Sequence, residues 1–152
     1  MRLSTMPSLE NNLHYVASLI EFTARKTKNR VCEVTSKLGK EGLEHQLQVA
    51  EVNHCLSFGQ VSDELIEDFG ISEGEFDLLS SSQFKVPSHT AIGKVYRNLV
   101  LDVLKEGDNV AEVFFEVLTS FISDEISFFD SGVYFENRSY IMHSYLQGRL
   151  LD

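Results

Sequence analysis

A chain of 152 residues with 43% hydrophobic and 24% charged residues has the composition of a folded globular protein, and its net charge of -10 disfavours general binding to nucleic-acid phosphates. The N-terminus lacks the apolar run of a signal peptide, and no stretch approaches the ~20 apolar residues that cross a bilayer. We therefore expect a cytoplasmic protein that does not enter a membrane.

The N-terminal half is predicted to be helical after a loose tail over residues 1–8. Apolar residues at helical spacing predict a helix over 9–27, a short helix over 31–38 that Gly39 ends, and a third helix over 43–56. The stripe of the first helix consists of Leu13, Val16, Ala17, Ile20 and Ala24.

Two short helices are expected next, in an acidic stretch of the chain. Phe58-Gly59 interrupts the pattern, Ser62 is a good N-cap, and Gly70 can end the helix that follows. Ser72 and Glu75 match a capping box, which predicts another short helix up to Leu79.

The clearest helix spans 88–107, and we expect the others to pack around it. Pro87 keeps the preceding residue extended, Ser88 can cap the N-terminus, and Gly107 can adopt the left-handed conformation that ends a helix. Its apolar stripe consists of Ile92, Val95, Tyr96, Leu99, Val100, Val103 and Leu104.

After a cap at Asp108 and Asn109, further helices are predicted over 110–122, 123–129 and 139–151. Residues 133–135 are predicted to be extended and to pair with 84–86. The fold class expected is a mainly α, compact bundle of about six or seven helices with at most one minor β pairing. Residues 9–152 form a single helical domain or two apposed halves, 9–80 and 86–152.

The negative charge is unevenly placed along the chain. Residues 1–60 carry seven basic and six acidic residues, whereas residues 61–152 carry six basic and seventeen acidic ones. An acidic face with no interspersed basic residue is predicted to bind a basic protein partner; it consists of Asp63, Glu64, Glu67, Asp68, Glu73, Glu75 and Asp77. A plain solvated face explains the same residues, and their spacing does not match an EF-hand.

Two other sites are considered. The basic run from Arg25 to Arg30 complements the C-terminal dipole of its helix, and binding of nucleic acid is the alternative explanation, which we disfavour. Near the C-terminus, aromatic and polar side chains could line a groove for a small enzyme or ligand-binding domain, although half-buried aromatic residues that close the core are the commoner explanation. These side chains are Tyr134, Tyr140, His143, Tyr145 and Arg149.

Motifs for catalysis are not found. The chain contains no GxSxG, no phosphate-binding glycine loop, no CxxC and no HExxH, and Cys32 and Cys55 are interpreted as buried free thiols. We predict no catalytic residue, no metal ligand and no cofactor, although a Cys–His pair assembled by the fold stays open.

Four segments of the N-terminal half carry a resemblance: YVASLIEFTARKT, CEVTSKLGKEG, NHCLSFG and DELIEDF. Over residues 14–69 the chain is similar to a family of small bacterial proteins of unknown function, often described beside toxin-like ADP-ribosyltransferase genes. The resemblance implies a non-enzymatic, antitoxin-like binding role and brings no catalytic residue with it. The second half of the chain departs from that family.

The sequence therefore predicts a non-enzymatic protein-interaction module that uses its acidic face. The wide apolar stripes are also compatible with a homodimer, in which part of the predicted core would lie between subunits.

Overall fold

A computed structural model describes residues 6–77, 79 and 85–152 of the chain. Within these residues the protein forms seven α-helices, two short 3₁₀-helices at Phe129–Ser131 and Val133–Phe135, and no strand. The helices are α1 (Met6–Thr27), α2 (Val31–Asn53), α3 (Phe58–Phe69), α4 (His89–Val103), α5 (Val110–Leu118), α6 (Phe121–Ser127) and α7 (Arg138–Gln147). The prediction of a mainly α, compact multi-helix bundle is confirmed.

Helix α1 occupies the centre of the bundle. Six consecutive residues, 16–21, are buried, and because each residue advances about 100° around a helix they cover its whole circumference. Helices α2, α3 and α4 pack around α1. The expectation that the helix over 88–107 is central is wrong, since α4 is one of the helices that cover α1.

Helices α1 and α4 approach most closely at Ser18 and Gly93. A Cβ atom at Gly93 would overlap Oγ of Ser18 and would lie 2.8 Å from the backbone nitrogen of Ser18. Glycine is therefore required at this position for packing, since the backbone conformation itself is helical.

Several helix ends agree with the sequence pattern. Ser88 caps α4 by accepting a hydrogen bond from the Ala91 N–H, and Asn109 caps α5 in the same way. Gly70 ends α3 in the left-handed conformation. Gly39 separates two helical segments of α2, because its φ of 70° and ψ of 175° are not helical.

The boundaries of α3 and the segment after it differ from the prediction. Ser57 is the N-cap of α3 and Ser62 is buried inside the helix, so Phe58-Gly59 belongs to the helix instead of interrupting it. Of the short helix predicted up to Leu79, the described residues 71–77 are not helical, Leu79 is helical, and residue 78 lies outside the described part. The backbone of residues 71–77 instead completes the end of α1: the N–H groups of Gly74 and Phe76 donate to the carbonyls of Thr27 and Lys28, at 2.8 and 2.9 Å.

The C-terminal half contains further corrections. Helix α4 ends at Val103, before Gly107, and the chain between 110 and 129 breaks at Ser120, which caps α6. The predicted strand at 133–135 is wrong. Those residues form a 3₁₀ turn, because the left-handed Gly132 (φ 78°) starts a tight turn whose N–H groups bond three residues back. Of its expected partner segment, 84–86, residue 84 lies outside the described residues, and residues 85 and 86 are not in a strand.

One core cluster contains residues from both predicted halves, including Leu13 and Ile20 from the first and Ile92 and Phe114 from the second. Residues 6–8 of the predicted tail belong to α1, and residues 1–5 lie outside the described part. None of the described helices combines the length and the apolar character that crossing a membrane requires.

We predict that Gly93→Ala lowers the free energy of unfolding by about 1–3 kcal/mol, because its methyl group overpacks the contact with Ser18. This loss outweighs the gain of up to about 1 kcal/mol that alanine brings to a helix interior. Urea unfolding followed by circular dichroism measures the difference.

The matched control is Gly59→Ala in α3, where a Cβ atom would meet no other atom within 4 Å. This variant should stabilise the protein by about 0.5–1 kcal/mol. Equal effects of the two substitutions would contradict the close approach of α1 and α4.

Candidate functional site

The amphipathic pattern of α3 positions the acidic face. Val61 and Leu65 are buried against α1, which turns the opposite side of the helix towards solvent. All seven predicted residues are exposed: Asp63, Glu64, Glu67, Asp68, Glu73, Glu75 and Asp77. The first four lie on α3, and the last three lie in the segment that hydrogen-bonds to the end of α1.

The basic run at the end of α1 is paired with acidic residues. Lys26 contacts Asp63, and Lys28 lies 3.9 Å from Glu73. Arg30 lies 3.7 Å from Asp124, and Arg25 donates to Glu21 at 2.8 Å. The positive charge for which nucleic-acid binding was the disfavoured alternative therefore has carboxylate partners within the fold.

Three carboxylates of α3 do not take part in these ion pairs. Glu64, Glu67 and Asp68 are exposed and have no ion-pair partner in the described part of the chain. Because they occupy one helix of twelve residues that is capped at both ends, their spacing is fixed by the backbone. The result is a compact negative patch on a rigid element.

A groove runs beside this patch, between α2 and α3, and encloses about 260 Å³. Two of the unpaired carboxylates, Glu64 and Asp68, lie one helical turn apart along it. Apolar side chains alternate with polar ones on both walls. The lining residues are His45, Gln46, Val49, Asn53, Val61, Glu64, Leu65, Asp68 and Phe69.

Gln46 is the residue of this groove that sequence reasoning missed. It exposes only 7% of its surface, and its Oε1 has no hydrogen-bond partner among the described residues. An unpaired buried acceptor costs about 1–3 kcal/mol, which makes it unusual in a folded protein. A signal was present, because Gln46 falls between Leu43 and Ala50 on the apolar stripe of α2.

The predicted C-terminal groove is not assembled as expected. His143 is exposed and lies 2.8 Å from the backbone oxygen of Ser139, whereas the Tyr140 hydroxyl donates to the Leu151 carbonyl at 3.1 Å. Burial raises the pKa of Tyr145, and exposed Arg149 lies 3.9 Å from Asp152.

Of the five predicted groove residues, Tyr134 lines a described cavity, which encloses about 130 Å³ beside α4. The same cavity is lined by Asp102 and Arg138, which form a two-point ion pair with distances of 3.0 and 2.6 Å. Both charges are therefore already engaged with each other.

A buried ion pair lies deeper in the bundle. Glu21 exposes 1% of its surface and accepts from Arg25 Nε at 2.8 Å, while its Oε1 has no partner in the described chain. Arg25 also donates to the Pro87 carbonyl at 2.8 Å and lies over the Phe129 ring. Burial raises the pKa of Glu21 above its ordinary value of 4.5, although Arg25 acts in the opposite direction.

This shift predicts a pH dependence of stability. The folded protein holds the Glu21 proton more tightly than the unfolded chain does, so the contribution of Glu21 is fully present below pH 4.5 and is lost as the pH rises through its higher folded-state pKa. Relative to the wild type, Glu21→Gln should become steadily more favourable as the pH increases from 4.5 towards neutrality.

Urea unfolding of both proteins at a series of pH values measures this trend. The attraction between Arg25 and the ionised Glu21 carboxylate is already contained in the net shift of the Glu21 pKa, so the slope of the stability difference with pH is the informative quantity. A difference between the two proteins that stays constant or falls with rising pH would contradict the raised pKa.

Among the remaining reactive side chains, Sγ of Cys55 lies 3.7 Å from Nδ1 of the adjacent His54, and both residues are exposed. Both cysteines are free; Cys32 is half-buried and Cys55 is exposed, so the expectation of two buried thiols is wrong for Cys55. Within the described ranges, no group of three or more His, Cys, Asp or Glu side chains is placed to hold a metal ion. Comparison with protein-family models, with curated proteins and with solved structures gave no match to this chain.

Proposed function

We propose that this protein is a non-enzymatic interaction module that binds a basic protein partner through its acidic face. The observation that carries the proposal is the set of three exposed carboxylates without ion-pair partners in the described chain, Glu64, Glu67 and Asp68, on the rigid helix α3. Asp63 is paired with Lys26 of α1 and Glu73 with Lys28, which follows α1, so Glu64, Glu67 and Asp68 are the carboxylates of α3 that remain outside these ion pairs.

Such a patch supports recognition chiefly through electrostatics. A concentrated negative charge accelerates encounter with a positively charged surface and disfavours acidic competitors. The adjoining groove between α2 and α3 adds shape and apolar surface, which charge alone does not provide.

An antitoxin-like role is the more specific form of this proposal. The resemblance spans residues 14–69, which include α3 and the greater part of α1 and α2. In that case the basic partner is a toxin-like enzyme, and the acidic face blocks it by covering its cationic surface.

Binding of a small ligand beside α4 is the second candidate function. The cavity that includes Tyr134 favours it, but its volume of about 130 Å³ is well below the roughly 300–1,000 Å³ of ordinary ligand pockets. We therefore prefer the acidic face.

The test uses the triple variant Glu64→Gln, Glu67→Gln, Asp68→Asn as bait beside the wild type in extracts of the source organism. We expect a basic protein that binds the wild type and is lost with the variant. Once that protein is purified, the variant should bind it about tenfold more weakly, since each exposed pair contributes on the order of 0.5 kcal/mol.

The control bait carries Glu106→Gln, Glu116→Gln and Glu136→Gln, which remove the same charge from exposed positions in the C-terminal half. It should bind like the wild type. Binding of the wild type should also weaken when the salt concentration rises from about 0.1 to about 1 M, where the Debye length falls from about 10 to about 3 Å. Equal losses for the two triple variants would count against the acidic face.

A further inference from the structure

The cavity beside α4 has two walls, which are α4 itself and the segment from Tyr134 to Ile141. We propose that this cavity binds a short ω-amino acid, a zwitterion with its carboxylate at one end and its ammonium at the other. Lys94 and Arg138 would hold the carboxylate, and Glu136 would hold the ammonium. This inference specifies the second candidate function and does not depend on the acidic face.

The charged side chains that line the cavity are balanced in sign. Lys94 and Asp102 come from α4, and Glu136 and Arg138 come from the other wall. A simple anion in this cavity would meet the repulsion of both carboxylates, and a simple cation would meet that of both basic groups. A zwitterion can place each of its charges beside a group of opposite sign, so the lining favours a ligand that carries both.

The ion pair of Asp102 and Arg138 is the fixed part of the site. Nε and Nη2 of Arg138 donate to the Asp102 carboxylate at 3.0 and 2.6 Å, and a two-point contact of this kind sets the plane of the guanidinium. Nη1 of Arg138 carries two further N–H donors and has no hydrogen-bond partner among the described residues. Arg138 can therefore donate to a ligand carboxylate while it stays bound to Asp102.

Lys94 and Glu136 are the charges of the cavity that the fold does not pair. Both are exposed, and in the described part of the chain neither side chain has an ion pair or a hydrogen bond. They line the same cavity from different walls, yet no ion pair joins them across it. A ligand with opposite charges at its two ends can bridge them. An α-amino acid is less suitable, because its two charged groups are attached to the same carbon.

The size of the cavity limits the length of the ligand. A closed cavity of roughly 150 Å³ holds one benzene molecule, so the volume of about 130 Å³ admits a ligand of about six non-hydrogen atoms. Val95 and the ring of Tyr134 line the cavity and are half-buried, and they provide apolar surface for methylene groups. β-Alanine, a short chain with one charge at each end, has this size and this pattern.

The experiment follows the isotope-labelled full chain by NMR at neutral pH and constant ionic strength, in separate titrations with β-alanine, propionate and ethylamine. Propionate is β-alanine without the ammonium, and ethylamine is β-alanine without the carboxylate. β-Alanine should reach half-saturation at a concentration at least tenfold lower than either of the others. The amide signals that shift should belong to residues 91–102 and 134–141, whereas those of α3 should not move.

Two single variants test the two ends of the ligand separately. Glu136→Gln should abolish the preference for β-alanine over propionate, and Lys94→Gln should reduce the preference for β-alanine over ethylamine at least threefold, since Arg138 still attracts the carboxylate. The matched controls, Glu106→Gln and Lys105→Gln, remove the same charges from exposed positions outside the cavity and should bind like the wild type. Thermal unfolding of each variant verifies that the fold is retained.

Equal affinities of the wild type for β-alanine and propionate, or for β-alanine and ethylamine, would overturn this inference. It would also be overturned if β-alanine did not shift the signals of the cavity, or if each variant behaved like its matched control. None of these results affects the acidic face, which is tested by the capture of a basic protein and its loss with the triple variant.

Discussion

The close approach of α1 and α4 is the contact on which the rest of the bundle depends. Gly93 lets the backbone of α4 lie directly against Ser18, in the stretch of α1 over residues 16–21 that is buried on every side. With α4 in place, α2 and α3 close the remaining sides of α1. Because α3 packs on α1, the position of the acidic face depends on α1. Helix α1 itself contributes none of the carboxylates of that face.

The distribution of charge in the fold explains the asymmetry in the sequence. The basic run of α1 meets carboxylates from α3, from the segment after it and from α6, so the first half contributes cations that the later acidic residues neutralise. Among the carboxylates without an ion-pair partner in the described chain, Glu64, Glu67 and Asp68 are grouped on one short helix beside the groove between α2 and α3. Surface charge that is not used to hold the fold together is the charge available for a partner.

Sequence rules that depend on neighbouring residues predicted the helical fold and several helix ends correctly. Hydrophobic periodicity identified the helical bundle, and the caps at Ser88 and Asn109 and the end at Gly70 depend on side chains next to the helix itself. The errors come from long-range contacts. The capping-box pattern at Ser72 is overridden because the nearby N–H groups pair with α1, and the environment of Gln46 depends on a helix that follows it in the chain. The acidic face could be predicted from the sequence because its carboxylates lie close together in the chain. The groove beside it could not be predicted, because its walls come from two different helices.

The burial of α1 on all sides has a consequence for how the protein unfolds. Residues 16–21 of α1 have no solvent-facing side, so detachment of a neighbouring helix would expose buried apolar side chains such as Val16 and Ile20 to water, which is unfavourable. Arg25 adds to this linkage, since it contacts the start of α4 and the ring of Phe129, far away in the chain. The first and second halves therefore share one core cluster, and each covers apolar side chains of the other.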